Sequence, residues 1–254
     1  MKIDFHSHSV ITKTLGFDYQ YFLEMVTGAK QNGLEAVVLT EHYDTLRFEE
    51  VYDTLEQCLG YYNSCFAMDG FRIFPGMEVT VSEQVHILLF GDLEGIRALR
   101  RGLIEYMDRG DFISFEALLE FSRKRELIIG AAHPLRPGRE IDRIDRNLAK
   151  ELDFLDFNAK DLYLHGPKMR DRVMDMAEQL GVPVTAGSDA HHFLQYGTVY
   201  NTINVPCHSP ADIIRCIREG KYEIHQSDCL SVKIEAARIM KKTIKGHLEK
   251  TGKI

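Results

Sequence analysis

The sequence predicts an α/β barrel, and three observations lead to it. Seven short apolar runs alternate with amphipathic helical stretches, the pattern of a mostly parallel sheet covered by helices. The 254 residues suit one large domain of that kind, with room for a small appendage. Histidines and acids stand at or beside the ends of these runs, where barrel active sites lie, and closing the sheet would bring them together.

The first run, Lys2 to His6, places His6 and His8 on one face by the two-residue strand period. Asp18 to Asn32 reads as a helix with Phe22, Met25, Val26 and Ala29 at helical spacing, stopped at Asn32-Gly33. Ala36 to Thr40 is the second strand, running into Glu41-His42; Phe48 to Phe66 reads as helix. Arg72 to Pro75 leads a third strand into Gly76-Met77-Glu78, and Val85 to Gly91 is a fourth with His86 near its start. Helices follow over Ile96 to Met107 and Ser114 to Arg125, with Ser114 as N-cap. Leu127 to Ala132 is the fifth strand, ending in His133-Pro134, and Phe154 to Asn158 is the sixth, after a charged helix from Ile144 to Leu152. Lys168 to Leu180 is a helix ended by Gly181, before the seventh strand, Val182 to Asp189, and the turn to His191. Ser209 caps a further helix with Pro210 at its first position.

Composition narrows the function classes. No apolar run approaches the ~20 residues that span a bilayer, and the N-terminus opens directly into a strand, so a cytoplasmic protein without a membrane partner is expected. Five cysteines (Cys58, Cys65, Cys207, Cys216, Cys229) form no C-x-x-C pair and read as reduced thiols. A net charge of −7 argues against a broad nucleic-acid surface. The basic stretch Lys233 to Lys253 reads as a solvated helix end or tail.

Taken together, His6, His8, His42, Glu78, His86, His133, Asp189 and His191 form a set that suits zinc, manganese or iron, with a carboxylate able to bridge two ions. Such a site favours an anionic substrate. Arg136 and Arg139, in the loop after His133, suit bidentate binding of a substrate phosphate; Lys160 and His192 are lesser candidates.

These motifs, in this order, resemble the PHP (polymerase and histidinol phosphatase) family. They are Asp4-Phe5-His6-Ser7-His8, Thr40-Glu41-His42, Gly76-Met77-Glu78, the run from His86, Ala132-His133-Pro134 and Gly187-Ser188-Asp189-Ala190-His191. The resemblance implies a distorted seven-stranded (β/α)7 TIM-like barrel over 1–205, holding two or three divalent ions. It also implies a PHP-associated extension, here a helical segment 206–254 packed on the barrel with a basic tail. It puts His6, His8, Glu78 and Asp189 on a first ion, Glu78 with His86 and His133 on a second, and His42 with His191 on a third. It gives His6, His8, Glu78, Asp189 and His191 catalytic roles. Two departures stand out. The loop Val10 to Thr14 has no His or acid where the family supplies a further ligand, with Lys13 a candidate cation in its place. Glu41 replaces the commoner Asp and is expected to face outward or lie behind the ligands, with a small effect on substitution. Asp4 and Ser188 are expected to orient ligands or loop.

The implied activity is hydrolysis of a small phosphorylated metabolite, such as histidinol phosphate or a nucleotide, by metal-activated hydroxide attacking phosphorus. A nuclease of the same fold is the alternative. An amidohydrolase also uses H-x-H and a late Asp on a barrel, and a metal-binding protein without turnover is a further reading.

Overall fold

β1 (Lys2–Ser7) begins the barrel wall, followed by α1 (Tyr19–Gln31), β2 (Ala36–Leu39), α2 (Phe48–Cys58), β3 (Gly60–Tyr62), β4 (Cys65–Met68), β5 (Phe71–Thr80) and β6 (His86–Phe90). The chain continues through α3 (Leu93–Arg109), α4 (Phe115–Arg123), β7 (Ile128–Ala131), α5 (Arg146–Ala149), β8 (Phe154–Asn158), α6 (Ala159–His165), α7 (Lys168–Leu180) and β9 (Val184–Gly187). β10 (Val199–Ile203), α8 (Pro210–Arg218), β11 (Tyr222–Gln226) and α9 (Leu230–Lys250) complete it. The computed structural model describes residues 1–252, the side chains of 108 and 109 excepted; Lys253, part of the predicted basic tail, lies outside the described residues. Among the described residues no helix is long and apolar enough to cross a membrane.

β1, β2, β5, β6, β7, β8 and β9 are neighbours in that order and correspond to the seven predicted strands. The sheet has eleven strands among the described residues, because β3 and β4 pair beside β5 while β10 and β11 extend the far side of β1. Four barrel pairs are parallel, but β6 runs antiparallel to both neighbours. Only residues 81–85 join β5 to β6, a hairpin closed by Val81 N–H to Val85 O, whereas a parallel crossover needs a dozen residues or more. The inversion brings the start of β6 to the rim where its neighbours end, which is why His86 opens its strand.

Three predicted helices differ. Phe48 to Phe66 is helix only to Cys58, since Asn63 and Ser64 both take positive φ (51° and 59°) and close the β3–β4 hairpin as a primed turn does. The Ile144 to Leu152 helix shrinks to α5, capped by Asp145. The basic stretch is no frayed tail: α9 buries Leu230, Ile234 and Ala237 and packs on α6 and the turn Phe193–Gln195. Residues 206–254 are also not wholly helical, because β11 pairs along β10.

The barrel interior is apolar below the rim. The rings of Phe5, Phe90 and Phe154 lie 5.7 to 6.1 Å apart although their strands are not neighbours, so they meet across the interior. His6, one residue after Phe5, also reaches the interior acid Asp156, which simple alternation forbids. A register shift between Asp4 and Ser7 resolves this, as a bulge points two successive residues to one side.

Closure depends on Asn201. At the rim β1 meets the end of β9 directly, through His8 N–H to Ala190 O at 2.8 Å and Asp189 N–H to His6 O at 2.9 Å. Lower down, fully buried Asn201 of β10 fills the seam. Its Oδ1 accepts from Ala186 N at 2.8 Å, and its Nδ2 donates to Ala186 O at 2.9 Å and Ile3 O at 3.2 Å. Asn201→Ala strands these groups without water, so it is expected to cost about 2–3 kcal/mol in denaturant unfolding. A loss below about 0.5 kcal/mol would contradict this account of the seam.

Candidate metal centre

The eight predicted ligand residues converge on one rim. Their ligand atoms fall into three sets, each within 4.8 Å: His6, His8 and Asp189; Glu78, His86 and His133; His8, His42 and His191. Glu78 stands between them, buried on β5, its backbone N–H bonded to Glu41 O at 2.9 Å. Oε1 faces His86 Nδ1 at 2.7 Å and His133 Nε2 at 3.4 Å. Oε2 faces His42 Nδ1 at 3.1 Å, His8 Nε2 at 3.4 Å and His6 Nε2 at 3.5 Å, yet is buried with no hydrogen-bond partner. Asp189 Oδ1 lies 3.3 Å from His8 Nε2 and 3.6 Å from His6 Nε2. An orphaned buried carboxylate oxygen among imidazole nitrogens is what a bound cation would satisfy, so these residues fit divalent metal.

The electrostatics agree. Burial works to raise the Glu78 and Asp189 carboxyls. Imidazole charge holds both well below the usual range, from His42, His86 and His6 for Glu78 and from His6 for Asp189, with a bond from His8 and Arg136 adding to the latter. Burial likewise opposes protons on His6 and His8, but the acids around them overcome it, raising His6 and taking His8 to about 9. Protons there stand where a cation would. Burial, with the charge of Arg136, pushes His133 down to about 3, and burial with His8 and Lys241 lowers His191. Both are thus neutral imidazoles with a lone pair to offer.

Supporting residues orient the ligands. His6 Nδ1 meets Asp156 Oδ2 at 2.9 Å, which directs Nε2 to the cluster; the same oxygen accepts from His133 N at 3.2 Å and Asn158 Nδ2 at 3.0 Å. His191 Nδ1 meets Asp189 O at 3.0 Å. His133 and Asp189 take φ of 32° and 54°, a left-handed backbone held by the closed rim. Asp4 accepts from His6 N and Ser188 N at 3.1 and 3.0 Å, and burial raises it to about 7.

Several expectations change. Of the two places expected for Glu41, outward or behind the ligands, the structure has it behind them, with Oε1 3.6 Å from His8 Nδ1. It is fully buried and accepts from Ser9 N and Oγ, Val10 N, His42 N and Thr45 Oγ1 at 2.7 to 3.2 Å, fixing the loop after His8. Lys13 pairs with Asp44 at the surface rather than standing in for a ligand. Arg136 lies in the site, donating to Asp161 at 2.8 Å and Asn158 at 2.9 Å and reaching Asp189 Oδ2 at 3.3 Å. Arg139 bonds Gln84 instead, at 2.9 Å to its carbonyl. His192 caps the turn at Leu194, at 3.3 Å. Asp156 and Asp161 escaped the sequence reading, although Asp156-Phe157-Asn158 is another strand end carrying an acid.

Beside Asp189 and His191 opens a cavity of 150 Å³, walled by α6 and α9. Larger cavities of 460 and 540 Å³ occur elsewhere, but none of the eight ligand residues lines either one.

Residues 168–222 match the family model described as PHP-associated (PHP_C), in the position where the motif order resembles PHP proteins. That match covers about a fifth of the chain, in its C-terminal part. No curated protein matches it by sequence. Among solved structures, PsfC from Pseudomonas syringae PB-5123 is similar, with TM-score 0.76 and 23% identity over 96% of this chain and 98% of that one. The lesion-specific endonuclease PfuEndoQ from Pyrococcus furiosus has TM-score 0.68 and 20% identity over 88% of this chain. The chain spans 57% of that endonuclease's length. A Bifidobacterium adolescentis protein, provisionally described as a metal-dependent phosphoesterase, has TM-score 0.50 and 16% identity over 85% of this chain and 94% of that one. These likenesses establish the barrel fold.

Asp156→Asn keeps shape but weakens the orientation of His6. It is expected to lower divalent-metal affinity about 10–100-fold in equilibrium titration, with little change in secondary structure by circular dichroism. Unchanged affinity would remove Asp156 from the centre.

Proposed function

We propose that the chain is a divalent-metal-dependent phosphoesterase that hydrolyses a small phosphorylated metabolite. The observation that carries this reading is Glu78, whose two oxygens face different histidine sets as a carboxylate bridging two cations would. Glu78 also separates this site from an amidohydrolase barrel with a carboxylated-lysine bridge. We favour two cations over three. His8 belongs to two of the sets, but a neutral imidazole has one lone pair, so serving Asp189 and His6 leaves the third set only His42 and His191. The catalytic barrel is assigned to 1–205 and the extension to 206–254.

Bound divalent ions would lower the pKa of a coordinated water and neutralise phosphoryl charge. His6, His8, Glu78, Asp189, His86 and His133 would hold them, with His42 and His191 at the edge. Arg136, pinned by Asp161 and Asn158, would bind phosphoryl oxygens beside Asp189. Water oxygen adds to phosphorus, the bond to the leaving oxygen breaks in line, and that oxygen takes a proton. The 150 Å³ cavity supports a small leaving group, since pockets for drug-sized ligands run about 300–1,000 Å³.

A nuclease is the second reading, supported by the fold shared with a lesion-specific endonuclease and by the basic face of α9. One panel tests both. Phosphate release is measured with manganese or zinc from sugar, amino-acid, alcohol and nucleotide phosphates, with single- and double-stranded DNA alongside. The expected result is turnover of a small phosphoester, abolished by His6→Ala and by Asp189→Asn. Cleavage of DNA alone would favour the nuclease, and metal binding without any turnover would contradict both.

A further inference from the structure

Two cations in the cavity beside Asp189 have nothing to bind. Lys160 projects from α6 and Lys241 from α9, and both line it with Asp189 and His191. Of its other polar groups, Arg238 is committed to Glu235 through bonds of 2.8 and 2.6 Å, and Tyr163 Oη donates to the same carboxylate at 2.8 Å. Neither lysine ammonium has a hydrogen-bond or ion-pair partner among the described residues. Lys241 is half-buried, and burial lowers its ammonium to about 8 in spite of Asp189. Lys160 is exposed at the mouth of the cavity, so a partly desolvated ammonium and a solvated one share one small space, an arrangement that an anion between them would relieve.

The reacting phosphoryl group does not require these lysines, because the cluster and Arg136 already face it. Leu164, Ile234 and Ala237 line the same cavity, so it offers apolar wall together with cationic ends. Resting on the phosphoesterase reading, we infer that this cavity is the leaving-group subsite and that Lys241 and Lys160 select phosphoesters whose leaving group itself carries an anion, a carboxylate or a second phosphoryl group. The C-terminal helix then serves in specificity, since it contributes one of the two cations.

Phosphonates test this without turnover, because their carbon–phosphorus bond is not a substrate for ester hydrolysis. Metal-loaded protein is titrated calorimetrically with methylphosphonate and with 3-phosphonopropionate, which adds a carboxylate at the far end. The expected result is binding of 3-phosphonopropionate about tenfold tighter or more. Lys241→Ala and the Lys160→Ala/Lys241→Ala pair should erase that preference and leave methylphosphonate affinity unchanged. Lys241→Arg should retain it, as should Arg238→Ala, whose charge is spent on Glu235. Equal binding of the two phosphonates, absence of binding by both, or a preference surviving in the double variant would overturn the inference. Loss of methylphosphonate binding together with the preference would place Lys241 at the reacting phosphoryl group and also overturn it. Phosphate release from esters is read separately, so failure of the phosphoesterase reading is seen in that assay and failure of the subsite in this one.

Discussion

The buried carboxylate of Glu78 is the constraint on which the rest of the site depends. Five imidazoles point nitrogen atoms at it, His6 from β1, His86 from β6, and His8, His42 and His133 from the segments that follow β1, β2 and β7, at 2.7 to 3.5 Å. A carboxylate in that position is tolerable only if its charge is balanced, and either imidazolium protons or metal ions can do so. The imidazoles differ in which they favour. Neighbouring acids draw protons to His6 and His8, while burial keeps His133 and His191 neutral. A mixture of that kind is unstable toward any cation that replaces the protons and uses every lone pair at once, which is the physical case for metal.

Holding such a cluster requires a rim that does not relax. The register shift in β1 turns His6 inward beside Phe5, Asp156 fixes its tautomer, and Glu41 pins the loop that follows His8. Asn201 substitutes for a missing ladder between β1 and β9. None of these residues would touch substrate. Each spends buried hydrogen bonds to keep a ligand or a strand in one place, and the left-handed backbone at His133 and Asp189 persists because that framework over-determines it.

Much of this was legible in the residues. Seven strands were marked by apolar runs, and the eight residues that gather at the rim by their recurrence at run ends. What was not legible depended on long-range pairing or on turn chemistry. The inversion of β6 was implied by the short link at 81–85, but alternation alone suggested a parallel sheet. Asn63-Ser64 looks unremarkable until both residues prove to take positive φ. Asp156 was passed over, and Glu41 was left between an outward and a supporting place, because an acid beside a strand end has the same local signature whether it is a ligand, a support or solvent-facing. The basic C-terminal stretch read as solvated because its apolar face is sparse: Leu230, Ile234 and Ala237 are the residues of α9 that bury fully. Only the fold shows that this helix docks beside Asp189 and His191.

The most direct test of the bridging role is crystallography of manganese- or zinc-loaded protein with anomalous scattering at the metal edge. The account predicts two strong peaks about 3.5–4 Å apart, one beside each oxygen of Glu78. One would lie among His6, His8 and Asp189, and the other between His86 and His133. A single peak, or peaks that Glu78 does not contact, would contradict it.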